Sequence, residues 1–395
     1  MRNPFKKYLK TWSFLASATL VALALFNFTV DPFRVYRLVL GEQLDPYKSR
    51  LDSRIAKAEM LYHEDCNVLL LGSSRVEVGI DPEHPAWNGA KVLNLGLPAV
   101  NMLETQKVLR FALENTSPKK IFLLVDLYMF NKTAHNSQDF GRSRFNPGGN
   151  IFRYHMENLL SVYSTESSWR AVKYRIRGRR SKFTLLGFQD RRKMLLKVSP
   201  KVAFEKTLKF FIKDSSLYGD YVYDPEAVDA FRQIVAACRQ RNIELIVAIG
   251  PVHCTMLEAI GELGLWDLFE DWKRDLVGVL AEDAQPIPLW DFTGYVGYAA
   301  ETIPETSSTE ADMKWYWECS HFKSELGSKM LHRIFNLRGE KVRDDFGVAL
   351  TAANIERRLF KIRADREAYA ASHRRQVALV RRLIEQRKSV RDGAE

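Results

Sequence analysis

The stretch Asn67-Val68-Leu69-Leu70-Leu71-Gly72-Ser73-Ser74 decides the fold of this chain. Its short apolar run, ended by Gly72, is typical of a strand buried on both faces of a parallel sheet. Similar runs recur at residues 92–95, 120–125, 244–249 and 287–290. Segments with helical spacing stand between and after them, at 103–115, 225–241, 265–280 and 324–337. The alternation predicts an α/β fold whose parallel sheet is covered by helices on both faces.

Composition and charge exclude several classes of protein. The 395 residues are 46% hydrophobic and 12% aromatic, so the chain is not a disordered protein. The net charge of +11 is local: residues 166–201 carry 12 Lys/Arg against 2 Asp/Glu, and residues 340–395 carry 14 against 9. Without a zinc-finger, RNP or basic-zipper pattern, these segments do not indicate nucleic acid. The four cysteines form no CxxC pair, and we expect neither a metal site nor a cofactor.

The N-terminus carries a candidate membrane span. Residues 12–30 are uncharged and would extend roughly 28 Å as a helix, enough for a bilayer core. Lysines and an arginine precede the span, which predicts a cytoplasmic N-terminus (1–11), an inner-membrane anchor (12–30) and a periplasmic remainder in a bacterium. A signal peptide cleaved after Ala22-Leu23-Ala24 is the main alternative, and a buried soluble helix is another.

The exported part divides by pattern into a linker with helical entry (31–64), an α/β domain (65–337) and a basic helical tail (338–395). An insertion at 132–219 interrupts the alternation and includes the first basic segment. We expect that segment to bind an anionic glycan or lipid headgroups, with a solvated basic face as the plain alternative.

Candidate chemistry lies where two segments end. Gly72 allows a tight turn after the first strand, and a serine beyond it reaches the carboxyl edge of the sheet, where ligands bind in such folds. Near the other end stand Glu318 and His321, three residues apart and just before the last helix of the domain. A carboxylate at that spacing can orient the imidazole so that its other nitrogen accepts a serine proton.

These residues resemble the motifs of the SGNH/GDSL hydrolase superfamily. Gly72-Ser73-Ser74 matches its Gly-Asp-Ser turn, Glu318 and His321 match its Asp-x-x-His, and Asn94-Leu95-Gly96-Leu97-Pro98-Ala99 is similar to its Asn-x-Gly-x-x-Gly block. The resemblance implies a three-layer α/β/α domain with a flavodoxin-like sheet and Ser74 as nucleophile. More narrowly, the chain looks like the membrane-anchored proteins that O-acetylate bacterial exopolysaccharides such as alginate. That branch implies a membrane-bound O-acyltransferase as acetyl donor and an envelope polysaccharide as substrate.

The chain departs from the family pattern at several positions. Ser73 replaces the aspartate beside the nucleophile, Ala99 replaces the glycine that donates to the oxyanion, and Glu318 replaces the aspartate of the dyad. The Gly-x-Asn-Asp block is absent, and Asn131 is the candidate for its amide donor. Arg75 is expected to hold an anionic substrate group or to form an ion pair. His253, after the fourth strand, lines the site or is a structural histidine.

These residues, together with the resemblance, leave three functions open. The first is acyl transfer to a glycan through an acyl-Ser74 intermediate, with His321 as base and Glu318 as orienting carboxylate. The second is an esterase that uses the same residues and water. The third is an inactive membrane-anchored scaffold, which the departures from the family pattern favour.

Overall fold

The computed structural model describes residues 4–191, 198–295, 297–305, 308 and 312–392. It divides the chain into two compact units, Met1–Glu64 with Gln138–Asp190 and Asp65–Ser137 with Arg191–Glu395. The predicted insertion is therefore split between the two units. Its part from 138 to 190 groups with the N-terminal residues, and its last part groups with the α/β unit. Residues 192–197 of the predicted basic segment lie outside the described residues.

The helices have the following bounds: α1 Pro4–Val30, α2 Val39–Glu42, α3 Arg54–His63, α4 Ser74–Gly79, α5 Met102–Asn115, α6 Ile151–Leu160, α7 Val162–Ile176, α8 Pro200–Lys213, α9 Pro225–Gln240, α10 Cys254–Glu262, α11 Trp266–Leu280, α12 Ser324–Ile334, α13 Ile355–Ser372 and α14 Arg374–Asp392. The strands are β1 Val68–Ser73, β2 Val92–Leu97, β3 Lys120–Val125, β4 Glu244–Ile249, β5 Leu289–Asp291 and β6 Val348–Leu350.

The second unit is built on one mostly parallel sheet. The strand order is β2-β1-β3-β4-β5-β6, and the first five strands run parallel while β6 is antiparallel to β5. All residues of β1 and β2 are buried, which agrees with apolar runs that are covered on both faces. The predicted strands are present within two residues of their expected ends. β6 was not predicted, and it lies in the segment expected to be a helical tail.

Helices cover the sheet in two groups. In one group α5 packs against α9, and α9 packs against α11; in the other α4 packs against β1, β2 and α12. Gly96 on β2 permits the close approach of α4, because a Cβ at this position would lie 2.3 Å from the backbone nitrogen of Glu77. The sheet therefore fixes α4, which begins at Ser74, directly at the end of β1.

The first unit contains the apolar N-terminal helix. Among the described residues, Phe5–Val30 is a helix long and apolar enough to cross a membrane, and an 18-residue window of it has a mean hydropathy of 1.8. It includes the predicted span, 12–30. The helix ends at Val30, where the Asp31 carboxylate accepts backbone N–H groups of Val35 at 2.6 Å and Arg37 at 2.8 Å and turns the chain. Within this unit α1 packs against α6 and α7.

Candidate active site

Ser74 and His321 meet at the carboxyl edge of the sheet. Gly72 has φ of +142°, and a Cβ there would lie 2.6 Å from the Leu124 carbonyl oxygen, so this position near the end of β1 requires glycine. Ser74 is the first residue of α4, and its Oγ lies 2.8 Å from His321 Nε2. The two residues are 247 positions apart in sequence, and the fold brings them within hydrogen-bond distance.

A tight loop before α12 orients His321. Trp317 donates its backbone N–H to the His321 carbonyl at 2.9 Å, which closes the loop. The Glu318 carboxylate accepts backbone N–H groups of Ser320 at 2.8 Å and His321 at 3.0 Å, and it contacts His321 Nδ1 directly. Because Nδ1 faces a carboxylate, this nitrogen carries the ring proton and Nε2 is left to accept the proton of Ser74.

The environment of these two groups sets their protonation. Burial alone raises the pKa of Glu318, but the charge and hydrogen bond of His321, with Arg191 and the Ser320 N–H, outweigh it and hold that pKa at about 2. Burial lowers the pKa of His321 below its usual range, against the opposing charge of Glu318. At neutral pH the site therefore holds a carboxylate and a neutral imidazole that can act as a base.

Ser73 and Arg75, on either side of Ser74, belong to a buried ion-pair network. Arg75 Nη1 pairs with Asp126 Oδ1 at the end of β3, and Ser73 Oγ donates to Asp126 Oδ2 at 2.6 Å. Arg75 also donates to Ser320 Oγ, 3.1 Å from Nη2. Burial lowers and the charge of Asp126 raises the pKa of Arg75, and the net effect is a rise. Of the two expected roles of Arg75, the structure shows the ion pair. The Ser73 hydroxyl bonds to Asp126, whereas the Ser74 hydroxyl bonds to His321.

Two other predicted site residues have their polar groups engaged elsewhere. Asn131 donates both amide hydrogens to backbone carbonyls, of Ser215 at 2.8 Å and Leu217 at 2.9 Å, which leaves no amide hydrogen for an oxyanion. His253 is buried; its Nδ1 accepts the Thr255 backbone N–H at 3.2 Å, and its Nε2 lies 2.8 Å from the Glu301 carbonyl. Burial lowers the pKa of His253 to about 4, so the ring is neutral. The structure thus gives both residues structural roles.

The second predicted block joins α4 to β2. Asn94 Nδ2 donates to the carbonyls of Val76 and Ile80, each at 2.9 Å, and Asn94 Oδ1 accepts the Gly96 N–H at 2.9 Å. Ala99 follows in a turn and has φ of +51°, the left-handed conformation that glycine adopts without steric cost. Ala99 therefore has the backbone conformation of a glycine at the position where the similar motif has glycine.

The role of Ser320 has no signal in the sequence. Its hydroxyl joins the His321 loop to Arg75, but a serine inside an Glu-x-x-His segment has no distinctive spacing. Among the described residues, no group of three His, Cys, Asp or Glu side chains is placed to hold a metal ion.

Comparison of the chain with family models, with curated proteins and with solved structures finds no match in any of the three. A serine hydroxyl, a neutral imidazole and a carboxylate stand in hydrogen-bonded sequence, and that arrangement is suited to nucleophilic catalysis of acyl transfer.

Proposed function

We propose that this chain is a serine-dependent acyltransferase of the SGNH type, anchored in the bacterial inner membrane with its α/β unit in the periplasm. The observation that carries the proposal is the 2.8 Å contact of Ser74 Oγ with His321 Nε2, backed by the Glu318 carboxylate at Nδ1. The strand order β2-β1-β3-β4-β5, which is that of flavodoxin-like sheets, and the position of Ser74 after β1 support the same assignment.

The proposed reaction has two half-reactions, acylation and deacylation of Ser74. Ser74 Oγ attacks the acyl carbonyl and gives its proton to His321 Nε2, while Glu318 stabilises the imidazolium. Backbone N–H groups beside Ser74 and Ala99 bind the oxyanion, since Asn131 has no amide hydrogen left for it. His321 then protonates the leaving group, and acyl-Ser74 remains. In the second half an acceptor hydroxyl attacks the ester carbonyl while His321 removes its proton; the bond between the acyl carbon and Ser74 Oγ then breaks, His321 returns the proton to Oγ, and the acylated acceptor leaves.

The resemblance of the motifs identifies the partners we propose. The acyl group is acetyl, delivered across the membrane by a membrane-bound O-acyltransferase, and the acceptor is a hydroxyl of an exopolysaccharide or other envelope glycan. An esterase would use water in place of that hydroxyl with the same three side chains.

The test uses the full chain in nanodiscs with p-nitrophenyl acetate, with and without envelope oligosaccharide. We expect an acetyl adduct on Ser74 by mass spectrometry, acetylated oligosaccharide as product, and a loss of at least about 10³-fold in ester turnover for Ser74→Ala. Ser73→Ala is the matched control and keeps the Ser74 adduct, because Ser73 contacts Asp126 rather than His321.

The outcomes separate the three functions. Free acetate without acetylated oligosaccharide identifies an esterase. Ester turnover and glycan acetylation that are both unchanged in Ser74→Ala identify an inactive scaffold and contradict the proposal.

A further inference from the structure

Helix α7 exposes a row of large apolar side chains, Val162, Trp169 and Ile176, which we call the α7 stripe. They are 73%, 61% and 78% exposed. The three residues are spaced by seven, which advances a helix by two turns less about 20°, so they lie on one face. Ser168 and Ala171 are fully buried and lie on the other side of the helix. The stripe therefore points away from the packing of its own unit, where large apolar side chains are normally buried.

A cluster of exposed arginines continues from the stripe: Arg175, Arg177, Arg179 and Arg180. None of the four forms an ion pair with a carboxylate of the described residues. Residues 162–180 contain six Lys/Arg against the single acidic residue Glu166. Apolar exposure next to unpaired positive charge is the pattern of helices that lie in the interface of an anionic membrane.

The start of α7 lies beside the outer end of the candidate membrane span. Asn27 on α1 donates from Nδ2 to the Leu159 carbonyl at 2.8 Å and to Thr165 Oγ at 3.0 Å, at the corner between α6 and α7. Asn27 is three residues before the end of α1 at Val30, a rise of about 4.5 Å. Interfacial helices bury their apolar face at the headgroup and acyl boundary, which is also where the end of a membrane-spanning helix lies.

Helix α6 shows the same property on its own exposed side. Phe152 and Met156 are four residues apart and therefore neighbours on one face, and both are exposed. The buried residues Tyr154 and Asn158 lie on the other side of this helix. Two consecutive helices packed against α1 thus leave apolar residues uncovered within the same unit.

We propose that α7 docks on the bilayer that α1 spans, with the α7 stripe in the acyl and headgroup boundary and the arginine cluster on anionic phospholipid headgroups. The occupant is lipid rather than an anionic glycan, because a glycan would satisfy the arginines but leave the aliphatic side chains of Val162 and Ile176 in water. Tryptophan is enriched at this depth of membranes. The proposal rests on α1 as a membrane span and not on the chemistry of Ser74.

The test places a nitroxide label on α7 of the full chain in liposomes that contain phosphatidylglycerol. The four native cysteines are buried, so a label reports the introduced one. We expect Trp169→Cys and Ile176→Cys labels to be accessible to oxygen and shielded from a water-soluble nickel complex. Asp229→Cys, on an exposed side of α9 in the α/β unit and outside the proposed contact, is the control, and its label is expected to stay accessible to nickel.

A second comparison tests the charge. Liposomes of phosphatidylcholine alone, or the triple change Arg177→Gln, Arg179→Gln and Arg180→Gln, should move the label at position 169 toward water. If a cysteine at position 169 prevents folding, Ile176→Cys carries the label in the same comparison.

Three results would overturn the proposal. A label at 169 and 176 that is accessible to nickel places the stripe in water. A label shielded from both oxygen and nickel indicates a protein surface as occupant. An equal depth of the label in anionic and neutral bilayers would show that the arginine cluster does not bind anionic headgroups. A loss of Ser74-dependent turnover with unchanged label depth would concern the proposed enzyme alone.

Discussion

Glu318 is the residue on which the proton chemistry of the candidate site depends most. Its carboxylate accepts two backbone N–H groups of its own loop and contacts His321 Nδ1, so it sets both the position and the tautomer of the ring. The single methylene that distinguishes glutamate from aspartate is accommodated by a short loop closed between Trp317 and His321. The acid–histidine spacing of three residues is therefore sufficient for the contact.

We expect the pH dependence of ester turnover to report His321. The base acts when it is deprotonated, and burial lowers its pKa, so kcat/KM should stay high down to a pH below about 6.5 and fall only under it. Glu318→Gln removes a charge that raises this pKa, so the acid limb should move further down while kcat falls by about 10⁴-fold through loss of the tautomer.

The measurement is a pH profile of kcat/KM with p-nitrophenyl acetate. Glu325→Gln, an exposed change at the start of α12, is the control and should leave the profile where it is. An acid limb at or above pH 6.5 in the unmodified chain, or one that Glu318→Gln leaves in place, would be evidence against His321 as the base.

The contact of Ser74 with His321 could be predicted from sequence, whereas the role of Arg75 could not. A glycine–serine turn after an apolar run and a carboxylate three residues before a histidine are local patterns, and the parallel sheet brings strand ends to one edge. The sequence leaves two roles open for Arg75, a contact with an anionic substrate group and an ion pair. That choice depends on Asp126 and Ser320, which are distant in sequence, so only the fold decides it.

Among the elements, the buried pair of Arg75 and Asp126 has the widest effect. It joins the start of α4 to the end of β3, and through Ser320 it reaches the loop that holds His321. Ser73 adds a further hydrogen bond to the same carboxylate. The three segments that form the candidate site are thus connected by one ion pair and the hydrogen bonds made to it.

Breaking this pair should destabilise the α/β unit. Asp126→Asn leaves the Arg75 charge buried without its partner, which costs about 3–5 kcal/mol and lowers Tm by about 6–20 °C. The measurement is thermal unfolding of the full chain in detergent. The double change Arg75→Met with Asp126→Leu should melt above the single variant, because it removes both charges.

The control is Asp229→Asn, which breaks the exposed pair with Arg232 and should shift Tm by a few degrees at most. A similarly small shift for Asp126→Asn would mean that the buried pair does not hold these elements together.

The strands also differ in how far the sequence predicts them. β1, β3 and β4 are continuous apolar runs, because helices cover both faces of the sheet at these positions. β6 has only three residues, Val348–Leu350, and only the last is buried, so it leaves no apolar run to detect. Its place beside β5 depends on tertiary packing, which a short edge strand does not encode locally.

At the scale of the whole molecule, the chain combines a helix suited to a bilayer with a mostly parallel α/β unit. The grouping of residues 138–190 with the N-terminal helix was not predicted, since the pattern marks them only as an interruption of the alternation. The contacts of α6 and α7 with α1 account for it. A hydrogen bond such as that of Asn27 leaves no periodic signal in the sequence.

We expect the full chain to remain in the membrane pellet after alkaline carbonate and to keep its N-terminus by mass spectrometry. Alkaline phosphatase fused after Glu395 should be active in bacterial cells, because the positive residues lie before the span. Lys6→Gln, Lys7→Gln and Lys10→Gln together should lower that activity. A mature chain that begins after Ala24 and is released by carbonate would instead identify a cleaved signal peptide.

The separation of Ser74 and His321 by 247 positions has a consequence for when the proposed activity can begin. In the proposed topology the N-terminus stays in the cytoplasm and the residues after α1 cross the membrane in sequence order. Ser74 therefore emerges long before His321, which activates its hydroxyl. The nascent chain therefore cannot consume acyl esters while its later part is still in the cytoplasm. The proposed activity can begin only after the chain has emerged through α12 and α12 has packed against α4, so export itself restricts where the proposed reaction can start.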